Sequence, residues 1–160
     1  MSHSRAGTAD LLFRSSTQPG FSAAVSTHPK RVLARKLAGE VQVQFASAAD
    51  TVGTPEGIVH TRSGDAIVTG ATGDRWVIPR EHFAGKYRAV PPIVDGQPGR
   101  YVSLPNSIMA LPMSAPFEVL LADGVSRLQG QAGHWLVDYG DGSFGIVSPP
   151  IFATTYEIVG

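Results

Sequence analysis

Sliding the chain against itself by 69 residues lays 64–90 over 133–159 without a gap, and this internal match constrains the fold more than any other feature. Seven of the 27 pairs are identical: Gly64/Gly133, Val68/Val137, Gly73/Gly142, Phe83/Phe152, Ala84/Ala153, Tyr87/Tyr156 and Val90/Val159. Ile67/Leu136, Val77/Ile146 and Ile78/Val147 remain apolar. Upstream, Glu56-Gly57-Ile58-Val59 corresponds to Asp123-Gly124-Val125-Ser126, with two extra residues before Gly133 in the second copy. A repeated order of Gly, Phe and Tyr asks for the same turns and the same core contacts twice, so the fold must hold one short unit in duplicate. The expected organisation is an N-terminal arm with a short basic helix (1–37), a first repeat (38–90), a Pro- and Gly-bearing linker (91–100) and a second repeat (101–160).

Each copy reads as a strand, a turn around Gly73 or Gly142, and a returning strand, Trp76–Ile78 or Phe144–Val147, which together form a β-hairpin. Pro79, or Ser148-Pro149, then opens a helical turn that sets Phe83 with Tyr87, and Phe152 with Tyr156, four residues apart on one face. A last strand ends at Val90 or Val159. Glycine and proline together supply 18 + 12 = 30 of 160 residues, which favours short elements joined by turns. The fold class is therefore α+β, predominantly β, with two tandem hairpin-plus-helical-turn repeats behind an N-terminal arm. A copy of roughly 55 residues buries little surface alone, so the two are expected to share a core or pack about a pseudo-two-fold.

Residues 1–26 mix Ser, Thr, Gly and Ala, and read as a loose arm that packs through Leu11 to Phe13. From Thr27 to Gly39 the pattern suggests a short basic helix or turn, with Thr27 or His28 as N-cap, Pro29 in the first helical position and Gly39 as the stop. Val41, Val43 and Phe45 alternate with Gln42 and Gln44, the period of a half-buried strand. The longest apolar stretch, 108–122, is broken by Pro112 and Pro116, too short and interrupted for a membrane span. Met1 to Asp10 lacks a secretory pattern, and the expected location is cytoplasmic; an organellar transit peptide is the weaker alternative, because the cations gather at Lys30 to Lys36.

The run Gly133-His-Trp-Leu-Val-Asp-Tyr-Gly-Asp-Gly-Ser-Phe-Gly-Ile-Val, followed by Ile-Phe-Ala-Thr-Thr-Tyr-Glu, resembles the small bacterial PGDYG domain, whose usual pattern is GDWLVQYGPGDYGVV and then FxxTYE. Asp141-Gly142-Ser143-Phe144-Gly145 stands where that family writes its name, differing at three of the five positions, and His134 replaces the usual Asp. The first copy, with Thr54-Pro-Glu-Gly-Ile-Val and Ser-Gly-Asp-Ala-Ile-Val-Thr-Gly, is similar to a related phage and prophage type. The resemblance covers about three quarters of the chain as two tandem copies. It implies a fold unit and a bacterial or phage setting, and it transfers no catalytic residue.

Cysteine is absent, which removes disulfides, thiolate metal sites and cysteine catalysis together. The histidines at 3, 28, 60, 82 and 134 form no ligand spacing, so no metal is expected. Ser143 is one residue short of a nucleophile-elbow pattern and lies in a hairpin turn. No helix and no Lys-Ser/Thr follows the glycines at 70, 73, 140, 142 and 145, so they are not a phosphate loop, and no cofactor is expected. Asp65, Glu81, Asp138 and Asp141 could supply paired carboxylates, but a repeat puts similar residues at turns for structural reasons, so glycosidase-like chemistry is not expected.

Charge carries the functional colour. The chain is neutral with 13 cations and 13 anions, yet residues 1–90 hold 11 Lys/Arg and 7 acids while 91–160 hold 2 and 6. Arg62, Arg75, Trp76, Arg80, Lys86 and Arg88 form the candidate ligand-binding set, joined by Lys30, Arg31, Arg35 and Lys36, in a basic face suited to phosphates or stacked bases. The plainer account is a dipole that orients two copies or two subunits. The expected function is a non-enzymatic binding or accessory module recognising a protein or small ligand. The alternatives are an anionic-ligand or nucleic-acid binder using the first half, and an enzyme whose site forms between repeats or in a homo-oligomer.

Overall fold

The computed structural model describes residues 13–15 and 21–160. In chain order the first elements are β1 (Phe13–Ser15), α1 (Phe21–Ser26) and β2 (Val32–Lys36). They are followed by β3 (Glu40–Phe45), β4 (Asp50–Thr54), β5 (Gly57–Thr61), β6 (Ala66–Thr69), β7 (Arg75–Ile78), α2 (Arg80–Phe83), β8 (Tyr87–Ala89) and β9 (Gly99–Ser103). The rest are β10 (Ser107–Pro112), β11 (Phe117–Leu120), β12 (Arg127–Gly130), β13 (Trp135–Asp138), β14 (Phe144–Val147), α3 (Pro149–Thr155) and β15 (Tyr156–Ile158). The fold is α+β and mostly β. No helix among the described residues is long and apolar enough to cross a membrane.

Two compact units result, one made of 1–35 with 107–160 (unit 1) and the other of 36–106 (unit 2). Unit 2 holds a five-stranded sheet in the order β7-β6-β3-β9-β8 and the hairpin β4-β5. In unit 1 a five-stranded sheet runs β14-β13-β10-β2-β15, and β1 adds in parallel to β11 of the hairpin β11-β12. The registers coincide: Gln44 opposes Ile67, and Ile67 opposes Val77, as Leu111 opposes Leu136, and Leu136 opposes Ile146. Strand β2 sits 67 residues before β9, yet β2 pairs with β10 while β9 pairs with β3. The strand that opens each half of the sequence thus completes the sheet built by the other half.

Each core forms for the reason the i, i+4 aromatics suggested. Phe83 and Tyr87 stack at 5.6 Å, with Phe45 and Tyr101 edge-on to Phe83. Phe152 lies flat on Trp135 at 4.2 Å and on Tyr156 at 5.1 Å. All four of these aromatics are buried, Phe83 and Tyr87 with Val43, Ala66 and Val68, Phe152 and Tyr156 with Ala34, Ile108 and Val137. Alternating strand residues reach these cores, since successive side chains of a strand point to opposite faces.

Three expectations give way. Of the helix or turn read over Thr27–Gly39, the helix does not form: a turn closed by Arg31 N–H donating to His28 O stands there, followed by strand β2. Within β2, Ala34 is buried and Leu33 and Arg35 point outward, so pairing with β10 and burial of alternate residues outweigh the capping signal. The arm is not loose to residue 26: Phe21 and Val25 of α1 are fully buried, while Leu11 and Leu12, the residues expected to pack it, lie outside the described residues. The stretch 91–100 does not end as a linker, because Gly99 and Arg100 already belong to β9 and pair with Val43 and Gln42.

Candidate binding face

The unit 2 sheet turns Val43, Val68, Trp76 and Tyr101 toward its core. Neighbouring residues must then face away, and the register aligns Arg75, Thr69, Gln42 and Arg100 in one row across β7, β6, β3 and β9. Gln44, Ile67 and Val77 form the adjacent row. An open groove of about 460 Å³ crosses this surface, bounded at one end by Pro98 and Gly99. Gln42, Gln44 and Arg75 are exposed, and Ile67 and Thr69 are half-buried. Arg100 pairs with Glu40 at 3.4 Å, both about half exposed. No ion pair engages Arg75 among the described residues.

Unit 1 provides the contrast. At the register-matched positions it carries Met109, Leu111, Leu136, Asp138, Phe144 and Ile146, of which all but the half-buried Met109 are buried. Helix α1 packs against β10, with Phe21 edge-on to Phe144 at 4.7 Å. The residues that would correspond to α1 ahead of β9 are spent on β8 and the Pro-rich turn to Pro98, so no helix lies there.

On the core side of unit 2, Lys36 extends over the ring of Tyr87 at 4.8 Å and that of Trp76 at 5.7 Å, and its Nζ donates to Tyr87 Oη at 2.6 Å. Burial pushes this amine down to about 8, and the nearby Lys86 adds to the shift. At the hairpin β4-β5, burial pushes the Glu56 carboxyl up to about 7, opposed by a hydrogen bond from its own backbone and reinforced by Asp74. Asp65, buried, accepts Arg62 N–H at 2.9 Å and Arg80 N–H at 3.0 Å, tying the β5-β6 turn to the start of α2.

The six residues singled out from the sequence do not form one patch. Trp76 and Lys86 gather about Lys36. Arg62 is held by Glu81 at 2.8 Å and by Asp65 at 3.3 Å. Arg80 lies along the turn, its Cδ 2.9 Å from where a Cβ on Gly64 would stand. Arg75 and Arg88 both face outward but sit on the two edge strands, β7 and β8, with three strands between them. Outside those six, the groove takes its polar lining from Gln42, Gln44 and Thr69, with Arg100 closing the row. The signal was present in part: the alternation at 40–45 marks Gln42 and Gln44 as outward residues, while the strand registers alone show that Met109 and Leu111 stand in their place in unit 1.

The turn between β13 and β14 shows what the Asp141–Gly145 motif builds. Asp138 accepts Gly140 N–H and Asp141 accepts Ser143 N–H, both at 2.9 Å, and Gly142 adopts φ +91°. At Gly145 a Cβ would stand 2.8 Å from Tyr139 Oη, so a larger residue there would have to displace the tip of that ring. The family model described as PGDYG protein matches residues 57–157. The chain belongs to the PGDYG protein family. The PGDYG match is one continuous segment from β5 into β15, running through residues of both units. No curated protein and no solved structure matches this PGDYG chain. Among the described residues no three His, Asp or Glu side chains come together as a metal site. Ser143, in the PGDYG turn, donates its hydroxyl to Asp141.

Proposed function

We propose that this PGDYG protein is a non-enzymatic binding module that recognises another protein through the open face of unit 2. One contrast carries the reading: the sheet face that α1 covers in unit 1 stands uncovered in unit 2 and has Gln42, Gln44, Thr69 and Arg75 where unit 1 has Met109, Leu111, Asp138 and Phe144. These polar groups keep the face wettable and supply donors and acceptors to a partner, while Ile67 and Val77 offer the apolar area that interfaces use. Two further points belong to the proposal. The units are tandem copies of one ancestral segment, and the setting is the cytoplasm of a bacterium or its phage. The nucleic-acid alternative draws less support, because Arg62 is neutralised by acids and Trp76 faces the core, leaving no stacking platform on the open face.

Selection of a random dodecapeptide phage library on the immobilised protein tests this. Enriched peptides that lose binding to Thr69→Trp, which fills the groove, are the expected result. No enrichment, or peptides that bind Thr69→Trp as well as the parent while urea unfolding confirms the variant is folded, overturns it.

A further inference from the structure

We propose that the groove takes an extended acidic segment of a partner protein, with carboxylates four residues apart, held between Arg75 and Arg100. This inference rests on the binding-face reading above and names its ligand. The cross-strand row Arg75-Thr69-Gln42-Arg100 has a guanidinium at each end and an uncharged donor and acceptor pair between them. Three inter-strand steps of roughly 4.8 Å separate the two arginine backbones by about 14 Å. Four residues of extended chain span about 13 Å, and residues i, i+2 and i+4 face the same way. Carboxylates at i and i+4 therefore reach the two guanidinium groups, while the side chain at i+2 meets Thr69 and Gln42.

Charge complementarity selects this occupant. Arg75 has no acidic counterpart among the described residues, and a planar guanidinium is suited to bidentate carboxylate binding. Among the described residues the Arg100 side chain is held by the exposed Glu40 at 3.4 Å, a contact that a ligand carboxylate can replace. Arg88 points from the same face further along, opposite Val102, so the face carries Arg75, Arg88 and Arg100 against Glu40. None of the described residues on these two rows is aromatic, which separates a peptide from a base-stacked strand.

Fluorescence polarisation at low salt, with labelled peptides that place two Glu four residues apart in a Gly/Ser background, reads the outcome. Binding about fivefold tighter than that of the Gln counterpart is expected, with the advantage lost in Arg75→Gln and in Arg100→Gln and weakened by added salt. Equal binding of the Glu and Gln peptides overturns the acidic ligand. If the selected phage peptides are neutral and still lose binding to Thr69→Trp, this inference falls while the binding face stands. Tighter binding of an oligothymidine probe than of any peptide overturns it in favour of nucleic acid.

Discussion

Asp65 and His134 occupy matching places in the two units, and the difference between them gives the sharpest test of how each unit is built. In unit 2 the Asp65 carboxylate accepts Arg62 N–H at 2.9 Å and Arg80 N–H at 3.0 Å. Pro79, at the N-cap of α2, makes no side-chain cap bond, so Asp65 serves as the cap from a distant turn. The register-matched residue to Arg80 is Pro149, which has no N–H to offer, and unit 1 accordingly does without the acid: His134 stands there with its Nδ1 buried and unpartnered. Asp65→Ala removes two charge-assisted hydrogen bonds worth about 1.5 to 3 kcal/mol each. Both donors are only partly buried, which favours the lower figure, and the exposed Arg62 side chain adds little. The expected loss is about 3 kcal/mol for unit 2. Urea unfolding followed by Trp76 fluorescence in a Trp135→Phe background reads unit 2 alone. The reciprocal change, His134→Asp, should raise the stability of unit 1 by less than about 1 kcal/mol, since one of the two donors is missing. A loss below about 1 kcal/mol for Asp65→Ala, or a gain above about 2 kcal/mol for His134→Asp, refutes the capping argument.

Phe152→Ala should cost about 3 to 5 kcal/mol, because the ring is 3% exposed and lies between Trp135 and Tyr156; urea unfolding followed by Trp135 fluorescence checks it. Glu56 is raised to about 7 in the folded protein, so its contribution is fully present below pH 4.5 and is lost as pH rises to about 7. Discounted for its partial exposure, this amounts to about 1 kcal/mol, and Glu56→Gln should flatten the stability profile over that range. A protease site inserted between Gly96 and Gln97 should, once cut, leave the two fragments bound in size-exclusion chromatography. The reason is that β2 of the first fragment pairs with β10, and β9 of the second pairs with β3; fragments that separate without denaturant would contradict the strand exchange.

The amino-acid sequence by itself determined the local pieces. The 69-residue offset placed both hairpins, both helical turns and both final strands, because glycines at turns and an i, i+4 aromatic pair act over a few residues and carry their meaning with them. It also marked the alternating strand at Val41–Phe45. The partner of each opening strand was decided only by tertiary structure: a five-residue strand such as β2 has no preference for one sheet over another until a whole edge is available, and the capping pattern at Thr27 lost to that pairing. The binding face was half legible. Gln42 and Gln44 were visible as outward residues, but the row that joins them to Thr69, Arg75 and Arg100 exists only through the registers of three strand pairs. The same pairing put Arg75 and Trp76 on opposite faces and left Arg62 bound to acids, because the position of a charge depends on which strand lies beside it, which a one-dimensional count of cations does not contain.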